Sequence, residues 1–529
     1  MKRYRRLRLL EMLLPKDLRV IFDPASDYLG GGPGYLLVLA IVVPVAGVLI
    51  SFVLGGRTAE RTALLITPLC TVIVLAIFYE VWRTGKTLTY VLGGWQPPLG
   101  ITLRAGGISA VMLATTAIII TATGLFARAD FQTPQKQSEA RAPVVFWTLL
   151  LAAWAALNTV FLGGDLFNLY VALELMTFAA VPLVCLSGRA ETITAALRYL
   201  VFALVGSIFY LLGTALLYGA YGTLDIILLH DRVRAEPAVW MAIALITAGL
   251  LAKTALFPLH FWLPPAHAGA PPAASAILSA LVVKASYFLI VRTWFDVLPA
   301  DVRSGLAAQM LGAMGAAAIL FGGIIALRQA RLKLLIAYST VSQIGYLFLM
   351  FPLIVGFDAQ SWSNVAWTGG WIQLVSHAFA KAAMFMAAGL IAETLGHDRI
   401  ADLNGIGRLL PVTVLAFAVA GISLMGVPPS GGFVAKWLLL TASVQEHQWW
   451  YALVVVLGGL IAGGYVIQVV TRMIAYPAQA LTLSAKVSRR REAIPLALAV
   501  CAILLGLLPL QASDFLQIGR PPALGSALP

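Results

Sequence analysis

Charge is scarce in this 529-residue chain. Only 11% of its residues are Asp, Glu, Lys or Arg, against about 25% in an ordinary soluble domain. Acid is scarcer than base, 23 residues against 36, for a formal net charge of +13. In a soluble protein that excess would suggest nucleic acid. In a chain that is 60% hydrophobic it fits basic cytoplasmic loops beside anionic lipid, and no nucleic acid is expected. Cysteine is nearly absent: Cys70, Cys185 and Cys501 stand far apart, each within or at the edge of an apolar stretch, with no CxxC pair. Neither an iron–sulfur nor a zinc site is indicated, so no metal or other cofactor is expected. No GxGxxG opens a strand–helix unit and no P-loop is present, which leaves no nucleotide-binding motif.

What the sequence has in abundance is apolar runs of about 20 residues, the length a helix needs to cross a bilayer. Backbone groups in lipid find no water, so spanning segments must be helices or a closed barrel. Strand-period alternation is missing, so the expected class is all-α and polytopic. About fourteen spans follow: 35–54, 64–82, 105–127, 143–162, 166–186, 195–218, 239–262, 271–294, 306–327, 334–351, 369–393, 410–440, 450–472 and 495–510. They divide the chain into a basic extension at 1–34, N-terminal membrane helices at 35–142, a core at 143–475, and a last loop, span and tail at 476–529. The loops are short, and no soluble catalytic domain fits between them.

Loops after odd-numbered spans hold the larger share of Lys and Arg, among them Arg57 and Arg61, Arg128 to Arg141, Arg328 to Lys333, and Lys486 to Arg491. The positive-inside rule puts those loops in the cytoplasm of an inner-membrane protein and the N-terminus outside. The N-terminus is itself basic (Lys2, Arg3, Arg5, Arg6, Arg8, Lys16), which argues the other way, and the many loops outweigh the one tail. No apolar h-region of adequate length follows those charges, so the tail is not read as a signal peptide.

Ionisable groups inside spans cost roughly 3 kcal/mol or more each at a helix centre and call for a reason. Glu174 lies in DLFNLYVALELMTFAAVPL, Lys253 in ITAGLLAKTALFPLHFWLP and Lys284 in ILSALVVKASYFLIV. His377 and Lys381 lie in QLVSHAFAKAAMF, and Lys436 in GVPPSGGFVAKWLLL. Any one of them alone is as readily a snorkelling or statically paired side chain. As a set they are not, because static pairing would need about as many carboxylates as cations. A line of buried lysines suits proton transfer: desolvation disfavours the ammonium, a nearby carboxylate restores it, and moving that carboxylate releases the proton. Glu174 is the natural modulator. His260, His267 and His377 titrate near neutrality and can relay between lysines, although any one alone is more often a structural histidine.

Two spans are broken by proline, Pro258 in KTALFPLHFWLPPAH and Pro428 with Pro429 in GVPPSGGFVAKW. Proline removes a helical hydrogen bond and clashes with the preceding turn. Broken helices at membrane depth are tolerated where they line a wet cavity, and a matched pair of them often marks inverted repeats and an ion path. Each break lies close to one lysine, which favours function over a simple kink. Lys253, His260 and His267 follow one another at seven-residue spacing and would share a face on an unbroken helix. His377 and Lys381, four apart, share a face.

These residues carry a family resemblance. The run KTALFPLHFWLPPAHAGAPPAASAILSALVVKASYFLIVR, followed in order by LKLLIAYSTVSQIGY, SHAFAKAAMF and SLMGVPPSGGFVAKW, resembles the antiporter-like subunits of respiratory complex I and of Mrp-type cation/proton antiporters. It covers about residues 60 to 475. The resemblance implies fourteen core helices as two inverted five-helix repeats, about 143–296 and 306–475. It matches Glu174, Lys253, Lys284, His377, Lys381 and Lys436 to the family's proton-relay positions. It also implies other membrane subunits as partners. The stretch GGWQPPLGI looks like the D-type Mrp protein and its complex I relatives. The sequence departs from the family at Gln373, where many relatives carry another histidine, and at Arg331, where many carry Asp ahead of LLIAYS. No long lateral helix is expected after the last span, which disfavours the large complex I subunit. Lysine at 436 is more like the D type.

The leading expectation is therefore a D-type subunit that conducts protons in a Na⁺ or K⁺/H⁺ antiporter. Behind it stand a proton-pumping subunit of complex I or a membrane-bound hydrogenase, and a proton-driven subunit of an inorganic-carbon uptake complex. A membrane scaffold with dead channels is disfavoured by the buried charges. The chain shows no catalytic site of its own and would belong to an enzyme only within a redox-driven complex.

Overall fold

A computed structural model describes residues 33–133, 141–355, 362–476, 484–507 and 512–520. Residues 1–32 of the expected basic extension, and the end of the last expected span, lie outside the described residues. Among those described, twelve helices are long and apolar enough to cross a membrane, from Tyr35–Leu54 to Trp449–Ile474. Each expected span has its helix, although the seventh, 239–262, is helical only to Thr254. The expected twelfth span, 410–440, is two shorter helices, Pro411–Met425 and Gly431–Gln445, and the last is Arg489–Leu504. One small feature is not helical: Leu88–Val91 and Thr102–Ala105 pair antiparallel and frame the GGWQPPLGI stretch as the loop of a hairpin.

Backbone hydrogen bonds expose the internal repeat. Leu166 N bonds Leu224 O at 3.0 Å and Ile226 N bonds Gly164 O at 2.9 Å. The same reciprocal pattern returns as Leu332 N to Asp398 O at 2.8 Å and Ile400 N to Ala330 O at 2.9 Å. Consecutive spans alternate direction, so the first pair, after the fourth and sixth spans, lies on one membrane face and the second, after the ninth and eleventh, on the other. The two breaks repeat as well. The Pro237–Thr254 helix ends at Ala255, φ 59°, with Leu256 N on Leu251 O at 3.3 Å. The Pro411–Met425 helix ends at Gly426, φ 84°, with Val427 N on Ile422 O at 3.2 Å. Both are left-handed C-caps with the same reach-back bond, and each is followed three residues later by proline, Pro258 or Pro429.

Small residues set the closest helix contacts, as lipid-embedded packing favours. The Ala190–Tyr221 helix meets Pro237–Thr254 at Gly206 and Gly249. A Cβ on Gly206 would stand 2.6 Å from Gly249 O and 3.3 Å from Lys253 Cγ. Gly206→Ala is therefore expected to part these two helices, lowering the amount of assembled protein and displacing Lys253. Immunodetection of the chain in membranes, beside a transport assay, checks both effects.

The last helix is anchored by charge. Arg491 reaches Asp130 at 2.5 Å and Glu393 at 2.6 Å. Buried Glu492 accepts from Thr413 N at 3.0 Å and Thr413 Oγ1 at 2.9 Å, capping the first half of the broken span. Burial raises the Asp130 carboxyl above its ordinary range, with Arg491 opposing the shift.

Candidate functional site

The site begins on Leu166–Val184, whose first turn is capped by Asp165 accepting from Phe167 N and Asn168 N, both at 2.9 Å. Two turns further on, Glu174 accepts from Lys253 Nζ at 3.0 Å and from the Ser207 hydroxyl. Lys253 also donates to Thr177 Oγ1 at 3.1 Å, and Thr177 shares a helix face with Glu174 at i,i+3. Lys253 is the penultimate residue of its helix, so the break ends that helix just where its cation meets the carboxylate.

Lys284 follows a widened turn, Leu278–Val282, between Pro272–Ile277 and Val283–Arg292. Such π-turns concentrate at functional sites. Its ammonium donates to Ser279 O inside that turn, and Ser279 Oγ shares a hydrogen bond with Thr340 Oγ1 at 3.0 Å. Lys381, on the long Trp362–Leu395 helix, donates to Ile336 O at 3.0 Å and Ser339 Oγ at 2.5 Å. Lys436 donates to Leu424 O, the carbonyl that the second break leaves at a helix end, and stands 4.6 Å over the Tyr346 ring. Among the described residues no carboxylate pairs with Lys284, Lys381 or Lys436, so Glu174 is the one carboxylate on this line.

The histidines separate. His377 is buried on the Trp362–Leu395 helix, one turn before Lys381. His267 is fully buried and stacks on Phe385, ring centroids 4.4 Å apart. No ring nitrogen of these two has a hydrogen-bond partner among the described residues. The expected break parts His260 from the helix of Lys253. The chain leaves the helix at Ala255, and His260 packs instead among Phe257, Phe261, Phe321 and Tyr338. Seven-residue spacing carries a common face only through continuous helix.

The two departures noted in the sequence each find a place. Gln373 Nε2 donates to Gln343 Oε1 at 2.9 Å, and Gln343 Nε2 to Leu424 O at 3.2 Å. Arg331 is paired with Asp398 at 2.9 Å, and Asp398 also accepts from Lys333 N at 3.2 Å, capping that helix from another part of the chain. Sequence reasoning passed over Thr177, Ser207, Ser339, Thr340, Gln343 and Tyr346, the neutral partners of the lysines and of Glu174. Ser339, Thr340, Gln343 and Tyr346 carry one signal, helical spacing: with Ile336 they fall on a single face.

Ser207 is the partner most open to test. A hydrogen bond to a charged group contributes about 1.5–3 kcal/mol. Ser207→Ala is expected to lower transport by about tenfold or more while leaving the Glu174–Lys253 pair in place, and initial rates at matched protein level measure it.

A family model described as "NADH:quinone oxidoreductase/Mrp antiporter, TM" matches residues 163–462. The chain is 36% identical over 391 residues, 73% of its length and 75% of the relative's, to the N component of the NADH-quinone oxidoreductase of Desulforudis audaxviator. It is 30% identical over 385 residues, 72% of its length and 75% of the relative's, to the D component of the Na(+)/H(+) antiporter of Alkalihalophilus pseudofirmus. Its fold superposes with TM-score 0.81 and 25% identity on a chain in the structure of the Mrp complex from Dietzia sp. DQ12-45-1b, covering 92% of this chain and 96% of that one. By the span of that match and the identity of these relatives, the chain belongs to the NADH:quinone oxidoreductase/Mrp antiporter transmembrane family.

Proposed function

We propose that this chain is the proton-conducting subunit of a multi-subunit cation/proton antiporter of the D type, exchanging Na⁺ or K⁺ against H⁺. The observation that carries the reading is the single Glu174–Lys253 pair at one end of a line of buried lysines that have no carboxylate of their own among the described residues. Glu174 holds the proton on Lys253. Weakening of that pair lets the proton pass to Lys284, then through the region of His267, His377 and Lys381 to Lys436. Carbonyl and hydroxyl oxygens accept from amine and ammonium alike, so the line can load and unload without unpairing a buried ion. The cation path is assigned to other subunits, since no acidic cluster accompanies this line among the described residues. His260 has aromatic ring neighbours, which supports it less as a relay member than the sequence spacing did. The loop charges support an inner-membrane protein with its N-terminus outside.

A second reading is favoured by the identity to a quinone oxidoreductase component: the same line driven by electron transfer in neighbouring chains. Inverted vesicles holding the native complex and a pH-sensitive dye separate the two. Dequenching on addition of Na⁺ or K⁺, with no response to a redox donor, is the expected result. Acidification driven only by the donor would replace the antiporter reading with a redox pump.

A further inference from the structure

One helix touches three of the four buried lysines or their acceptors, and beyond Lys333 in its first turn, which donates to Ala270 O at 3.1 Å, the face that does so is uncharged. The Leu332–Phe348 helix presents Ile336, Ser339, Thr340, Gln343 and Tyr346 along one side, spaced as successive turns require. Ile336 O and Ser339 Oγ receive Lys381 at 3.0 and 2.5 Å. One residue on, Thr340 shares a hydrogen bond with Ser279 at 3.0 Å, and Ser279 O receives Lys284. A turn further, Gln343 donates to Leu424 O, the same carbonyl that receives Lys436. Tyr346 then places its ring 4.6 Å from the Lys436 ammonium. All four polar side chains on this face are fully buried.

At Lys436 the arrangement is most specific. Gly426 N bonds Ser423 O and Ile422 O, and Val427 N bonds Ile422 O. The break thus satisfies those two carbonyls and leaves Leu424 O to side chains. Gln373 Nε2 donates to Gln343 Oε1 at 2.9 Å. That bond turns the other end of the Gln343 amide, its N–H, toward Leu424 O. Tyr346 is held in turn by its hydroxyl on Val455 O at 3.4 Å.

We infer that the Leu332–Phe348 helix is a positioning rail for the lysine line, and that Gln343 and Tyr346 are positioning residues for Lys436, fixing its carbonyl acceptor and giving its ammonium a ring face. This inference rests on the proton-conduction reading. Gln343 shuttles nothing itself; a carboxamide is neutral across the working pH range. It acts through Leu424 O. The ring face of Tyr346 favours the charged form of the lysine. The titratable groups facing this place are His377 from the Trp362–Leu395 helix, Tyr346 itself, and Tyr465 from Trp449–Ile474, which lies beside Gln343 and Ser339.

The test is the pH profile of proton transport in vesicles of the native complex carrying Gln343→Met, Tyr346→Leu or Tyr346→Phe. Gln343→Met and Tyr346→Leu are expected to move the midpoint by about half a pH unit or more, about a threefold change in the equilibrium of the titrating group. Tyr346→Phe keeps the ring and is expected to leave the midpoint in place. Should Gln343→Met fail to assemble, Gln373→Met, which only frees the Gln343 amide, gives the same reading. Rates that fall by one factor at every pH, with the midpoint unmoved in all variants, would overturn the inference and leave these residues as packing. Lys436→Ala, run alongside, keeps the two claims apart. If it transports normally, the conduction role of Lys436 fails. If it is inactive while the other midpoints stay fixed, the positioning inference alone fails.

Discussion

Glu174→Ala and Lys253→Ala are each expected to abolish proton-coupled transport while leaving assembly largely intact. The two side chains form a 3.0 Å pair, and the lysine side chain is only 3% exposed. Breaking a buried pair by removing one partner commonly costs about 3–5 kcal/mol, because the surviving charge is left uncompensated. Here the survivor is not abandoned. Without Lys253, Glu174 still accepts from the Ser207 hydroxyl; without Glu174, Lys253 still donates to Thr177. A surviving lysine can also shed its proton, which removes the charge. The loss is therefore expected in flux, at least a hundredfold for a required hop that loses about 3 kcal/mol, and much less in protein level. Dye-reported flux beside immunodetection of the chain in membranes checks it. Normal transport in both variants would sink the relay.

Lys284→Ala and Lys436→Ala form the second large prediction, with partial to complete loss of transport. Each of these lysines reaches no carboxylate among the described residues, only a carbonyl oxygen that accepts a hydrogen bond. Alanine removes the proton carrier and a hydrogen bond from a charged group, about 1.5–3 kcal/mol, while Leu424 O keeps its bond from Gln343. This is small beside the effect of cutting the line. In the proposed relay Lys284 follows the Glu174–Lys253 pair and precedes Lys381, so its removal breaks the middle. Lys436 stands at the far end, beside the second helix break, so a fully active Lys436→Ala would put the exit elsewhere. Initial rates at matched protein level distinguish partial from complete loss.

The architecture was legible because lipid makes it so. A bilayer demands long apolar helices and penalises ionisable groups inside them, and both rules act residue by residue on the sequence. Length alone placed the spans, and cost alone singled out Glu174 and the four lysines. The breaks announced themselves as KTALFP and GVPPSG. What did not show was anything depending on where the backbone turns. The left-handed caps at Ala255 and Gly426 end their helices three residues before Pro258 and Pro429, so the prolines marked the breaks but not the last helical residues. The neutral partners were hidden for another reason. A lone Ser, Thr or Gln in an apolar span is cheap and common, so Ser207 gave no signal until Glu174 was found beside it, and Gln343 only its helical spacing until Leu424 O was found beside it. Arg491 read as part of a basic loop, yet it and Glu492 are buried anchors of the Arg489–Leu504 helix.

The central claim is that protons cross through the Glu174–Lys253 pair and the lysines beyond it. The most direct measurement compares wild type with the matched uncharged double variant Glu174→Gln, Lys253→Met in inverted vesicles of the native complex. Replacing both partners leaves no buried charge unpaired, so assembly is retained and only conduction is at stake. The expected result is equal protein in the membrane and no proton movement, whether Na⁺, K⁺ or a redox donor is supplied. Full proton movement at equal protein level would contradict the claim.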